Sequence, residues 1–221
     1  MTMTRQQLAR LLDHSVLKPD STAQDIAAGA DAVRTWNVGY YCVQPCWVAL
    51  AADALARTNS RVISVVGFPH GADRPEVKAR AVELAIADGA REIDMVMNFG
   101  ELRSGDASGP AADIAAVVRA ARGVPVKVIL EAAALDQDQK RLACRLAVMA
   151  GAAFVKSSTG FHPAGGATVA DVALMRSVVG PEVGVKASGG IRTLADAQAM
   201  LAAGANRIGT SASAAILGAL D

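Results

Sequence analysis

Short apolar runs of strand length recur along the chain, separated by longer alanine-rich segments whose apolar positions return every three or four residues. The runs are GYYCV near residue 40, RVISVVGF near 64, EIDMVMN near 95, PVKVILE near 128, FVKSS near 156, GVKAS near 186 and RIGTS near 209. Between them, PEVKARAVELAIADG, AADIAAVVRAARG, QDQKRLACRLAVMAG and TLADAQAMLAAG carry the period of helices that bury one face. An eighth strand is predicted at LLDHSVL, Leu11 to Leu17, between a short N-terminal helix and a helix that begins near Ser21 or Thr22. Three helix-to-strand joints repeat one device: AIADGAREI (Ala85–Ile93), AVMAGAAFV (Ala147–Val155) and MLAAGANRI (Met200–Ile208) each place a glycine where a left-handed C′ residue is needed. The strands read as apolar on both faces, the mark of parallel strands held between two layers.

Eight strand–helix units within 221 residues predict an α/β fold, a single (β/α)8 TIM barrel with a short extra N-terminal helix, spanning 1–221 as one domain. No GxGxxG stands between a strand and a helix, which argues against a dinucleotide fold. In such a barrel the chemistry sits at the C-terminal ends of the strands. Every candidate residue below meets or fails that test of position.

Composition narrows the partners. A net charge of +1 and 4% aromatic residues supply neither the basic field nor the stacking platforms of a nucleic-acid binder. The three cysteines, Cys42, Cys46 and Cys144, form no CxxC pair and suit a reducing compartment. The N-terminus lacks an apolar core of signal-peptide length, and the longest apolar region is broken by Gln44, Pro45 and Asp53. No membrane contact and a cytoplasmic location are expected. His14, His70 and His162 stand alone, with no HxH or HExxH spacing, so no metal site is expected.

Lysine placement changes the picture most. Only six of the 22 basic side chains are lysines, yet Lys156 and Lys186 fall in successive strand-like runs, each followed by small hydroxyl and glycine residues. A lone strand lysine ordinarily snorkels to solvent or pairs with a carboxylate. Two at matching heights on strands about 5 Å apart repel one another, and burial adds to that, so one amine loses its proton. A neutral amine attacks carbonyl carbon to form a Schiff base, an electron sink for C–C cleavage; that is aldolase chemistry. Asp94, a lone acid in EIDMVMN, is the candidate proton shuttle, or else a structural partner for a buried lysine such as Lys127. Lys127 and Glu131 share a strand face by parity and are read as barrel filling, paired with each other. Asp13, at the end of the first strand, either bonds substrate hydroxyls or caps a loop.

The segments SGGIR (Ser188, Gly189, Gly190 and Arg192 the candidates) and GTSAS (Gly209 and Ser211) read as helix openings after the last two strands, the usual phosphate site of these barrels. Ser158, Thr159 and Gly160 form a candidate third wall. Ordinary helix capping explains the same residues without a ligand. A small phosphorylated carbonyl compound is the substrate class this reading favours. A phosphate-binding isomerase or synthase using carboxylates, and a non-catalytic sugar-phosphate sensor, are the rival readings.

Taken in order, LDHSVLKPDST (Leu12–Thr22), YYCVQP (Tyr40–Pro45), GFPHG (Gly67–Gly71), EIDMVMN (Glu92–Asn98), FVKSSTGF (Phe154–Phe161) and VKASGGIR (Val185–Arg192) resemble the deoxyribose-phosphate aldolases, class I aldolases, over nearly the whole chain. The resemblance implies Lys156 as the Schiff-base residue, Asp94 as proton donor and acceptor, and Lys186 as a catalytic partner that tunes Lys156. It implies reversible cleavage of 2-deoxy-D-ribose 5-phosphate to D-glyceraldehyde 3-phosphate and acetaldehyde in deoxyribonucleoside catabolism, without metal or organic cofactor, by a homodimer. The family's usual DHT and TSTG read DHS and SSTG here, Ala212 follows Ser211 where some relatives carry a second serine, and the last tyrosine is Tyr41, so a C-terminal tyrosine has no counterpart.

Overall fold

The computed structural model describes residues 3–220. Eight strands follow one another round a closed, wholly parallel barrel: β1 (Leu12–Val16), β2 (Tyr40–Val43), β3 (Arg61–Val66), β4 (Glu92–Val96), β5 (Val126–Ile129), β6 (Phe154–Lys156), β7 (Gly184–Ser188) and β8 (Arg207–Thr210), the last paired back to the first. Each falls on a predicted run, β1 on the eighth. The helices are α1 (Arg5–Ala9), α2 (Ala23–Thr35), α3 (Val48–Ala54), α4 (Pro75–Ala87), α5 (Phe99–Arg103), α6 (Ser108–Ala120), α7 (Gln137–Met149), α8 (Val169–Val179), α9 (Leu194–Ala202) and α10 (Ser213–Gly218). The expected N-terminal helix is α1, and α2 starts at an N-cap Thr22 whose side chain exchanges hydrogen bonds with Asp25.

The three repeated joints share one geometry. Gly89, Gly151 and Gly204 have φ of +110°, +83° and +107°. In each case the amide three residues past the helix bonds back five positions, Ala90 to Ala85, Ala152 to Ala147 and Ala205 to Met200. This is the Schellman closure, and it aims the chain into the next strand within three residues.

The main core lies between the strands' outer face and the helices, built from Tyr41, Val62, Ile93, Val128, Val155, Val185 and Ile208 against residues such as Ile26, Val82, Ile114, Cys144 and Met175. The lumen departs from the expectation of strands apolar on both faces. Its apolar part is small, Cys42, Ile63 and Val65 on β2 and β3. The rest carries Asp13, Glu92, Asp94, Lys127, Lys156, Lys186 and Arg207, all buried. Such a lumen is tolerable only because its charges neutralise one another.

Candidate active site

Lys156 and Lys186 are direct partners in the parallel register of β6 and β7, so both side chains enter the lumen at one height. Asp94 lies across from them on β4 and draws them together: its Oδ2 accepts from Lys156 Nζ at 2.8 Å and from Lys186 Nζ at 2.7 Å. The two nitrogens are therefore closer than the sum of those distances. Oδ1 of the same carboxylate accepts from Lys127 Nζ at 3.0 Å. Asp94 is thus the structural partner of Lys127 that was weighed for it, and it bonds both paired lysines as well.

The two lysines titrate in opposite directions. Burial pushes Lys156 below the ordinary lysine value, and the Lys186 cation adds to that against the pull of Asp94. Burial acts on Lys186 too, but the Asp13 and Asp94 carboxylates outweigh it and hold that ammonium firmly protonated. Burial alone would raise Asp94; Lys127, Lys156 and Lys186 overcome it and keep the carboxyl well below the usual range. One amine is thus released toward neutrality beside a fixed cation and a fixed anion. Phe68 lies over Lys156 Nζ, 6.0 Å from nitrogen to ring centroid, and packs edge-on against Phe161.

Lys156 opens into a cleft of about 880 Å³ whose other walls include Thr159, Gly160, Ser188, Gly189, Gly190, Arg192, Gly209 and Ser211. Most of the candidate phosphate residues therefore share a cavity with the amine. Ser158 does not line it: buried beneath, it accepts from the Gly160 amide at 2.8 Å, while its carbonyl accepts from the Ser188 hydroxyl at 2.6 Å. Asp13, also fully buried, is bound to Lys186 at 2.5 Å and Arg207 at 2.8 Å.

Two expectations need correction. SGGIR does not open a helix, because α9 starts later, at N-cap Thr193; GTSAS does lead into α10, but only at Ser213, its Gly209 and Thr210 belonging to β8. Two of the glycines there answer to close packing, Gly189 against a neighbouring loop and Gly209 against strand β7. A side chain at Gly189 would strike Gly166 Cα at 2.9 Å, and one at Gly209 would meet Lys186 Cε at 3.0 Å. Gly190, at φ +81° with open space beside it, is the one free to face a ligand. Lys127 and Glu131 also do not pair. The strand ends at Ile129 and Glu131 turns left-handed (φ +53°), which breaks the parity. Glu131 instead accepts from the Thr159 hydroxyl at 2.5 Å and from the Thr159 amide at 3.2 Å, holding the loop after β6.

Glu92 and Arg207 went unread in the sequence. Each opens a strand two residues before a site position, Asp94 or Gly209, and that spacing puts both side chains into the lumen. Among the described residues no cluster of histidine, cysteine and carboxylate suits a metal ion, and no helix is long and apolar enough to cross a membrane.

Residues 8–218 match the sequence model of the DeoC/LacD family aldolases. The chain is 51% identical over 212 residues to deoxyribose-phosphate aldolase 1 of Bacillus licheniformis, covering 96% of this chain and 95% of that one. It is likewise 51% identical to the deoxyribose-phosphate aldolase of Listeria monocytogenes serotype 4a over 95% of this chain and 94% of that one. Among solved structures it is similar to the deoxyribose phosphate aldolase of Aeropyrum pernix, described as a tetramer, with a TM-score of 0.91, 30% identity and coverage of 98% and 92%.

Proposed function

The chain belongs to the DeoC/LacD family of aldolases, and from that premise we propose that it reversibly cleaves 2-deoxy-D-ribose 5-phosphate to D-glyceraldehyde 3-phosphate and acetaldehyde through a Schiff base on Lys156. The observation that carries this reading is the pair of lysines bonded to one oxygen of Asp94, with Lys156 alone among them depressed in pKa and open to the cleft.

The neutral Nζ of Lys156 adds to the C1 aldehyde carbon, and the carbinolamine loses water to give the iminium. Asp94 and Lys186, joined at 2.7 Å, form the relay that takes the proton of the C3 hydroxyl. The C3 oxygen closes to a carbonyl, the C2–C3 bond breaks, and its electron pair flows through C1 to nitrogen as the enamine. The relay returns a proton to C2, and water hydrolyses the new iminium to release acetaldehyde and the free amine. Asp13 lies beneath this level, bound to Lys186, and holds that cation in place. The phosphate is assigned to the loops Ser188–Arg192 and Gly209–Ser211, with Thr159 and Gly160 as the third wall and Ser158 as its support. Residues 1–221 are read as one catalytic domain working in deoxyribonucleoside catabolism in the cytoplasm, with no cofactor. A homodimer is proposed for solution, to be checked by light scattering against the tetramer of the Aeropyrum relative.

The test is covalent. Acetaldehyde with borohydride is expected to leave a reduced two-carbon adduct on Lys156, located by peptide mass spectrometry. An adduct on Lys127, or a Lys156→Ala protein that still cleaves the sugar phosphate, refutes the assignment.

A further inference from the structure

The charged side chains of the lumen form a closed circuit. Asp13 binds Lys186 at 2.5 Å and Arg207 at 2.8 Å; Arg207 binds Glu92 at 3.0 Å; Glu92 binds Lys127; Lys127 binds Asp94 at 3.0 Å; Asp94 returns to Lys186 at 2.7 Å. Signs alternate all the way round, three acids with three bases, and every member is buried. Lys156 hangs outside the circuit, on an Asp94 oxygen already shared with Lys186. It is a fourth base in a compartment where the three acids and the other three bases cancel. An unmatched charge held away from water is costly, and an ionisable group escapes that cost by neutralising.

We propose that this ring is a charge-balance device in which Glu92 and Arg207, buried at the starts of β4 and β8, are positioning residues that make Lys156 the supernumerary base and so keep its amine free to add to an aldehyde. The inference rests on Lys156 being the nucleophile. The remaining surroundings add no compensating charge. From β2, Cys42 faces the group with its thiol pushed up to about 11 by burial, so it stays neutral, and the Tyr40 ring lies under the Arg207 guanidinium, 3.2 Å from ring centroid to its central carbon. β3 contributes Ile63 and Val65, and its Arg61 is exposed. His14 on β1 is engaged with Ser213 at 3.0 Å.

The proposal is tested by the pH midpoint of the initial rate of acetaldehyde–borohydride trapping on Lys156, which rises as that amine deprotonates. Arg207→Met leaves the ring one cation short, so Lys156 should keep its proton. The midpoint should rise by about one unit or more, slowing trapping on the acid limb about tenfold per unit. Glu92→Gln leaves a surplus cation and should lower the midpoint. The double variant removes one charge of each sign and should return the midpoint to that of the unmodified protein. A merely structural role would lower the melting temperature of all three without this pattern. An unchanged midpoint in Arg207→Met, or a double variant as displaced as that single one, overturns the proposal. Should Arg207→Met fail to fold, a Glu92→Gln midpoint equal to or above that of the unmodified protein overturns it alone. Absence of any Lys156 adduct in the unmodified protein would instead defeat the nucleophile assignment.

Discussion

At the scale of single residues, Asp94 is asked to do two opposed things. As a carboxylate it favours the protonated form of Lys156, and as half of the proposed relay it would pass a proton to and from substrate. Asp94→Asn separates the two. Losing the anion should leave Lys156 more readily neutral, so adduct trapping persists, while turnover drops about 10²- to 10⁴-fold with the loss of acid–base help; retained turnover would remove Asp94 from the relay. His14 offers a second separable effect. Burial pushes its pKa from 6.5 to about 4, so the folded protein refuses a proton that the unfolded chain accepts. Its neutral form is free of cost above pH 6.5, and stability is lost as pH falls from 6.5 toward 4, by about 3 kcal/mol in all. Chemical denaturation across that window should show the slope, and His14→Gln should flatten it.

At the scale of elements, the glycines after α4, α7 and α9 close each helix in a conformation that L side chains resist. Gly151 isolates that conformational cost, because a side chain there would find its nearest neighbour, Val118, at a comfortable 3.8 Å. Gly151→Ala should cost about 1–2 kcal/mol and lower the melting temperature by roughly 2–8 °C with kcat unchanged. These joints were legible in the sequence because a left-handed turn demands glycine, and the run that follows is strand whatever it packs on. Glu131 was misjudged at this same scale. Parity along β5 gave it to Lys127, but a left-handed residue just past Ile129 turns the side chain to Thr159 instead. The candidate phosphate loops were picked out by their place after β7 and β8, and most of their residues line the cleft. The reading of SGGIR as a helix opening failed because Thr193 with Asp196 caps α9 beyond the glycines, whereas the end of GTSAS, at Ser213, does open α10.

At the scale of the whole molecule, the lumen sets a window of stability. Burial opposes ionisation of Asp13 and Asp94, yet the surrounding cations hold both carboxyls below 3.8, so their contribution is complete above that value and lost as pH falls through their folded values. Lys127 and Lys186 are raised above 10.5 despite burial, so theirs is complete below 10.5 and lost at higher pH. The order of strands and helices, the C-terminal rim as the place for chemistry, and Lys156, Asp94 and Lys186 as its candidates were all determined by the sequence alone, because periodicity, glycine placement and a polar residue in an apolar run are local signals. Which lysine gives up its proton was decided only by the tertiary structure. On the proposed charge balance that choice depends on Asp13, Glu92 and Arg207, which reach the site from the first, fourth and eighth strands, and a sum of charges over a closed lumen cannot be taken until the barrel has brought its ends together.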